Sequence, residues 1–205
     1  MMRRLRPLCM LLTAATLGSG CFGSKPTRFY MLSSAGDRPA TAVESTGVSR
    51  VIAVGPVSIP DYVDRPQIVM RESANQVRLA GFDNWAGSLS DMVARVLLED
   101  LTSQLPGDHI VAFPQGGAAV FDYRVAVQIS RFDVNTAGEA VVAASWRVWD
   151  QAGTKTRLST SATTHAESVG STYQDRVAAL SQAVADLGAE IARSLQGLEP
   201  QRSRR

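Results

Sequence analysis

Cysteine is scarce in this sequence of 205 residues, and both copies, Cys9 and Cys21, lie near its start. Residues 22–205 can therefore form no disulfide bond and offer no free thiol. A fold built from them must be stabilised by its hydrophobic core. The chain is long enough for one domain that buries roughly two-thirds of the surface exposed by its unfolded state.

Histidine is equally rare, and only His109 and His165 occur. A metal ion needs three or four converging ligands, and no such spacing exists here. Nucleophile-elbow, Walker and dinucleotide-binding motifs are also missing. Acidic pairs such as Asp61 with Asp64 more often cap turns than perform acid–base chemistry. We expect no enzyme activity, no metal and no cofactor other than covalent lipid.

Neither sign of charge dominates the sequence. The formal net charge is +2, and residues 1–20 contain three arginines and no acid, so the remainder is near −1. Nucleic-acid-binding domains usually carry a strongly basic surface. We therefore expect no nucleic-acid partner.

The first 20 residues have the organisation of a bacterial lipoprotein signal peptide. Residues 3–6 carry three arginines, residues 8–17 are mostly apolar, and residues 18–20 are small. As a helix the apolar run would cover only about half of a bilayer core roughly 30 Å thick. The pattern predicts cleavage before Cys21 rather than a membrane span.

Cys21 would then become the first residue of the mature protein, and its thiolate is readily alkylated by a lipid donor. Attached acyl chains such as palmitate anchor a protein because each buried CH2 contributes about 0.8 kcal/mol. Residues 21–27 are predicted to form the lipid-anchored tether. Plain secretion with an unmodified Cys21, or an uncleaved anchor helix, remain the alternatives.

Hydrophobic periodicity predicts one domain over residues 28–197, followed by a flexible basic tail at 198–205. Helical spacing after Ser88 predicts a first helix that ends near Pro106, and residues 172–195 predict a second, with Ser171 and Gln174 as a capping box. Residues 33–50 read as a surface connection. Strands are predicted at 28–32, 51–57, 66–71, 76–80, 110–113, 121–130, 139–149 and 154–165. The fold class is α+β, with a mixed, mostly antiparallel sheet packed with two long helices.

The segment IPDYVDRPQIV at residues 59–69 resembles the hallmark of the ABC-type transport auxiliary lipoproteins, a family of PqiC-like membrane integrity subunits. The FYML run at residues 29–32 is similar to that family's first strand. Trp85 stands where the family has a tryptophan before its first helix. The resemblance covers most of the chain after Cys21.

This resemblance implies a non-catalytic accessory of an ABC-type lipid transport system, with a periplasmic MCE-domain protein as partner. Phe22 after the lipidated cysteine resembles proteins exported to the outer membrane. The domain would then face the periplasm from the inner leaflet and receive the partner's end, either singly or as a ring of copies. A lipid-binding carrier and a structural lipoprotein that regulates an envelope enzyme are the alternatives.

Five residues form the hypothetical partner-binding site: Asp64, Arg65, Pro66, Gln67 and Trp85. Pro66 fixes its own φ and holds Arg65 extended, so the guanidinium is presented rigidly before a strand. Arg65 could pair with Asp61 or Asp64 as a structural salt bridge, or with a partner's carboxylate. The aromatics near these turns could be core anchors or an exposed contact patch.

Overall fold

The structure is a computed structural model that describes residues 25–35, 49–114, 120–151 and 153–198. The predicted signal peptide, Cys21, most of the 33–50 connection and the tail after residue 198 lie outside these ranges. The elements in chain order are β1 (Arg28–Tyr30), β2 (Val51–Ser58), β3 (Gln67–Arg71), β4 (Val77–Trp85), α1 (Leu89–Gln104), β5 (His109–Ala112), β6 (Tyr123–Val134), β7 (Glu139–Asp150), β8 (Thr156–Glu167) and α2 (Tyr173–Gln196).

All eight described strands belong to one sheet, which divides along one edge of β6. On its other edge, β6 continues antiparallel into β7 and then β8. On the dividing edge, the first half of β6 pairs with β2, and β2 pairs with β5 on its other side. Val134, at the end of β6, pairs with β3 instead. From β3 the sheet continues to β4 and then to β1. The parallel pairs are short and the long pairs are antiparallel, which confirms the predicted mixed sheet.

Both helices pack against this sheet, and the predicted α+β class is confirmed. α1 contacts β2 and β5, α2 contacts β6, β7 and β8, and the two helices contact each other. The apolar stripe of α2, including Leu180, Leu187 and Ile191, is buried. Thr164 of β8 adds a buried hydrogen bond, because its hydroxyl donates to the Ala183 carbonyl of α2 at 2.7 Å.

The predicted N-terminal cap is confirmed for α1 but not for α2. Ser88 caps α1 as its position predicted. The predicted capping box of Ser171 with Gln174 is wrong, because Thr172 and Asp175 form the box instead: each residue's side chain accepts from the other's backbone N–H, at 3.0 and 3.2 Å. A carboxylate near the positive end of a helix is a stronger acceptor than an amide.

β4 extends five residues beyond its predicted end. Gly81, Asp83 and Asn84 have low strand propensity, which favoured a strand ending at Ala80. The extension exists because β1 pairs alongside it in parallel, from Arg28 opposite Asp83 onwards. A tertiary pairing has therefore overridden local propensity, and it carries the chain directly to Trp85.

Gly55→Ala is expected to lower the free energy of unfolding by about 1–3 kcal/mol. Gly55 lies within β2 at φ +134°, and a Cβ there would collide with the carbonyl of Phe113, just after β5. Urea denaturation of the purified protein measures the loss. Gly81→Ala is the matched control, since a Cβ there would meet nothing within 4 Å. Equal losses in the two variants would contradict this explanation.

Candidate functional site

The loop between β2 and β3 closes the gap where the sheet divides. β2 pairs with β6 as far as Gln128, and β3 joins β6 only at Val134. Between these points the Phe132 N–H donates to the hydroxyl of Tyr62 at 3.2 Å. Tyr62 thus takes the place of a strand partner and fixes the loop to the sheet.

The Tyr62 hydroxyl also contacts Asp133, a fully buried carboxylate that is paired with two arginines. Arg71 reaches one carboxylate oxygen at 2.8 Å, Arg131 reaches the other at 2.9 Å, and the Tyr62 hydroxyl donates at 3.0 Å. Burial alone would raise the pKa of Asp133, but the hydrogen bonds from the two arginines outweigh it and hold the pKa below its ordinary value of 3.8. Burial raises the pKa of the Tyr62 hydroxyl. Asp133 is therefore an ionised anchor for the loop.

Beyond Tyr62, backbone hydrogen bonds fold the loop against the end of β4. The Arg65 N–H donates to the Val63 carbonyl at 2.8 Å, and the Trp85 N–H donates to the Pro66 carbonyl at 2.7 Å. The second bond joins two parts of the predicted site that are 19 residues apart in the chain. It places the loop beside the start of α1.

A groove of about 320 Å³ lies between this loop and the start of α1. Trp85 is only 4% exposed and packs edge-on against Phe132, at 6.3 Å between ring centroids, so it serves as a core anchor. Asp64, Arg65 and Pro66 are exposed and also line the groove. The structure thus brings four of the five predicted site residues together. The fifth, Gln67, pairs with Asn84 in the sheet and does not line the groove.

Arg65 makes no ion pair with any described residue, although Asp64 and Asp61 are close in sequence. Ion pairs in the described ranges instead involve other arginines, such as Arg71 and Arg131. The structural salt bridge predicted as one role for Arg65 is therefore not formed in this structure. Its guanidinium is available at the groove for a carboxylate or phosphate from another molecule.

Sequence reasoning missed a second cluster, on the outer face of the sheet near the other end of β6. The guanidinium of Arg124 lies between two rings, at 4.9 Å from Phe113 and 4.7 Å from Trp149, and Arg147 also stacks on Trp149. A depression of about 220 Å³ adjoins it. Arg124 alternates with apolar residues along β6, and only the pairing with β7 places Trp149 beside it.

The two histidines do not line the groove. His165 bonds to Glu139 at 2.7 Å on an exposed surface, and His109 is exposed at the start of β5. Within the described ranges, no three metal-ligating side chains gather at one place. No helix in the part of the chain that the structure describes is both long and apolar enough to cross a membrane.

Comparison with known proteins finds relatives that are intermembrane transport lipoproteins. Over 137 residues the chain is 26% identical to the intermembrane transport lipoprotein PqiC of Escherichia coli K12, and equally to that of Shigella flexneri. The match covers 66% of this chain and 71% of each relative. The resemblance therefore extends over about two thirds of this chain rather than a short motif.

Solved structures support the same fold. An uncharacterised protein has a TM-score of 0.69 at 23% identity, covering 83% of this chain and 99% of that one. Protein XCC0632 from Xanthomonas campestris has a TM-score of 0.68 at 18% identity, covering 81% and 93%. Residues 30–192 match the family described as the ABC-type transport auxiliary lipoprotein component. Because this match spans well over half of the chain, the protein belongs to the ABC-type transport auxiliary lipoprotein family.

Proposed function

We propose that this protein is the non-catalytic accessory subunit of an MCE-type, ABC-type intermembrane lipid transport system. Its family is described as a transport auxiliary lipoprotein, and its relative in E. coli is named an intermembrane transport lipoprotein. The observation that carries the proposal is the groove, where Arg65 has no ion pair among the described residues and stands beside a buried Trp85. Such a rim suits docking of a protein segment that offers a carboxylate.

The partner in this proposal is the periplasm-spanning MCE-domain protein, and docking takes place at the outer membrane. Lipid on Cys21 holds the domain at the inner leaflet, and Phe22 after it favours export to that membrane. The domain receives the end of the partner and aligns its channel with the bilayer, with several copies forming a ring around it. This arrangement supports membrane integrity without any chemical step in the accessory subunit.

A cross-linked pull-down tests the docking proposal. The lipidated protein is captured from detergent-solubilised envelopes, and the proteins bound to it are identified by mass spectrometry. Recovery of an MCE-domain protein is the expected result. Enrichment of an envelope enzyme instead would favour a regulatory lipoprotein and reduce the family match to a shared fold.

The mature N-terminus is expected to be Cys21 carrying acyl chains, because residues 1–20 have the organisation of a lipoprotein signal peptide. Intact-mass analysis of protein purified from membranes measures this directly. The Cys21→Ser variant, which offers no thiol to the lipid donor, is the control and should lack the added mass. An unmodified Cys21 at the mature N-terminus would contradict the anchor.

A lipid-binding carrier is the second candidate function. The groove volume of about 320 Å³ lies within the range of roughly 300–1,000 Å³ common for small-molecule sites. Its rim is charged, however, and Trp85 and Leu89 contribute little exposed apolar surface. Native mass spectrometry that finds no co-purified lipid would count against this candidate, whereas a stoichiometric lipid would support it.

A further inference from the structure

Exposed apolar side chains are concentrated on one part of the surface. Five of the seven large exposed hydrophobic residues in the described ranges lie on β4, on β1 or directly after β1. They are Phe29, Met31, Val77, Leu79 and Phe82. Soluble domains usually scatter such residues singly, so a concentration on two neighbouring strands indicates a contact surface.

Strand geometry places the largest of them on one side of the sheet. Tyr30 points to the same side as Asp83, since its hydroxyl donates to that carboxylate at 2.7 Å. Side chains alternate along a strand, so Phe29, which is paired with Asn84, points to the opposite side. Met31 is exposed next to the buried Leu32, and Phe82 is exposed next to the buried Asp83, so both also point away from the buried side. These three residues, which are 66%, 60% and 43% exposed, are called the β1–β4 apolar face below.

The chain outside the structure suggests what covers this face. Cys21 precedes Arg28 by seven residues, and an extended chain of that length reaches about 25 Å at most. β1, which carries Phe29 and is followed directly by Met31, is thus the described element closest in sequence to the lipid anchor. Lys25 is exposed just before it, and a cation next to apolar residues suits an anionic bilayer surface. Arg28 points to the other side of the sheet, where it pairs with Asp83 at 2.7 Å.

We propose that the β1–β4 apolar face inserts into the interfacial region of the bilayer that carries the lipid anchor. This inference rests on the anchor at Cys21 in the proposed function. The anchor supplies the attachment, and the face sets the orientation of the domain. The Ala86 N–H donates to the Tyr30 carbonyl at 2.9 Å, and Ala86 lines the groove. Membrane insertion of the face therefore holds the groove at a fixed height near the bilayer.

Site-directed spin labelling tests the inference on the intact lipoprotein. The mature chain has no cysteine other than Cys21, so a single introduced thiol can be labelled selectively. Phe29→Cys and Phe82→Cys report on the face. Val120→Cys is the matched control, since Val120 is an exposed apolar residue just before the start of β6, whereas Asp133 and the loop it anchors lie at the other end of that strand. All three side chains are exposed, so the substitutions should not disturb the fold. Circular dichroism of each variant checks that the fold is retained.

Each labelled lipoprotein is reconstituted into vesicles of phosphatidylethanolamine and phosphatidylglycerol and isolated by flotation. Collisional accessibility is measured with oxygen, which concentrates in the bilayer, and with a nickel chelate, which stays in water. The oxygen-to-nickel ratio at positions 29 and 82 is expected to exceed the ratio at position 120 several-fold. Equal ratios at the three positions would overturn the inference.

Three further outcomes separate the explanations. Labels at 29 and 82 that are shielded from both reagents would show that protein covers the face, which overturns insertion into lipid. Failure of the lipoprotein to float with vesicles would contradict the anchor of the proposed function, and the inference with it. Flotation with water-exposed labels would overturn the inference alone.

Discussion

Asp133→Ala is expected to lower the free energy of unfolding by about 3 kcal/mol, because it leaves two partly buried guanidinium groups without their counterion. Arg71, Arg131 and Tyr62 all bond to the fully buried carboxylate. Both arginines keep partial solvent contact, which places the loss at the lower end of the range for broken buried pairs. Urea denaturation at neutral pH measures the change.

Asp64→Ala is the matched control for this loss. Asp64 is a carboxylate of the loop that Asp133 anchors, but it is exposed and forms no ion pair with a described residue. Its removal should change the free energy of unfolding by less than about 0.5 kcal/mol. Similar losses in both variants would show that Asp133 is not a special anchor.

The effect of Asp133 should also depend on pH in a defined direction. Its pKa is lowered on folding, so its stabilising contribution is complete above the ordinary value of 3.8 and is lost as the pH falls through the folded value. The difference in unfolding free energy between wild type and Asp133→Ala should therefore shrink below pH 3.8. A difference that stays constant there would contradict an ionised Asp133.

Arg65→Glu is expected to weaken capture of the proposed MCE-domain partner by at least about 30-fold, equivalent to about 2 kcal/mol. The proposed docking mode sets the guanidinium against a partner's carboxylate, and the substitution replaces that attraction with repulsion between like charges. Arg65 is exposed and bonds to no described side chain, so the fold should be unaffected. Cross-linked pull-down with quantified partner recovery measures the effect.

Lys155→Glu makes the same change of charge far from the groove. Lys155 lies in the turn beyond Asp150, which pairs with Tyr123 at the opposite end of β6 from Asp133. This variant should capture as much partner as wild type. Full recovery with Arg65→Glu would remove Arg65 from the interface, and equal losses in both variants would point to general electrostatic attraction instead.

Much of the fold could be predicted because its signals are local. The alternation along β6, the turns of the β6–β8 meander and the apolar stripes of both helices each depend on residues close together in the chain. The added length of β4 could not be predicted in this way. It arises from pairing with β1, a strand of three residues whose paired residues in β4 lie 55 positions later in the chain.

The candidate site was predictable in part. The hallmark segment and Trp85 were recognised separately, and the structure joins them through the bond between Pro66 and Trp85. The Asp133 cluster was missed because Arg71 lies 62 positions away from Asp133 in the chain. Arg131 and Asp133, two apart on one strand, were the available indication, but a register shift in β6 beside them obscures the alternation.

The sequence by itself determined the position of Cys21 after a basic and apolar run, the absence of cysteine from residues 22–205 and the helical and strand periodicities. These properties depend only on which residues are neighbours in the chain. The tertiary structure alone decided that Trp85 is buried while Phe29 and Phe82 are exposed, and that Arg65 is left without an ion pair among the described residues. Burial and pairing depend on what lies opposite a side chain, and residues distant in sequence supply those neighbours.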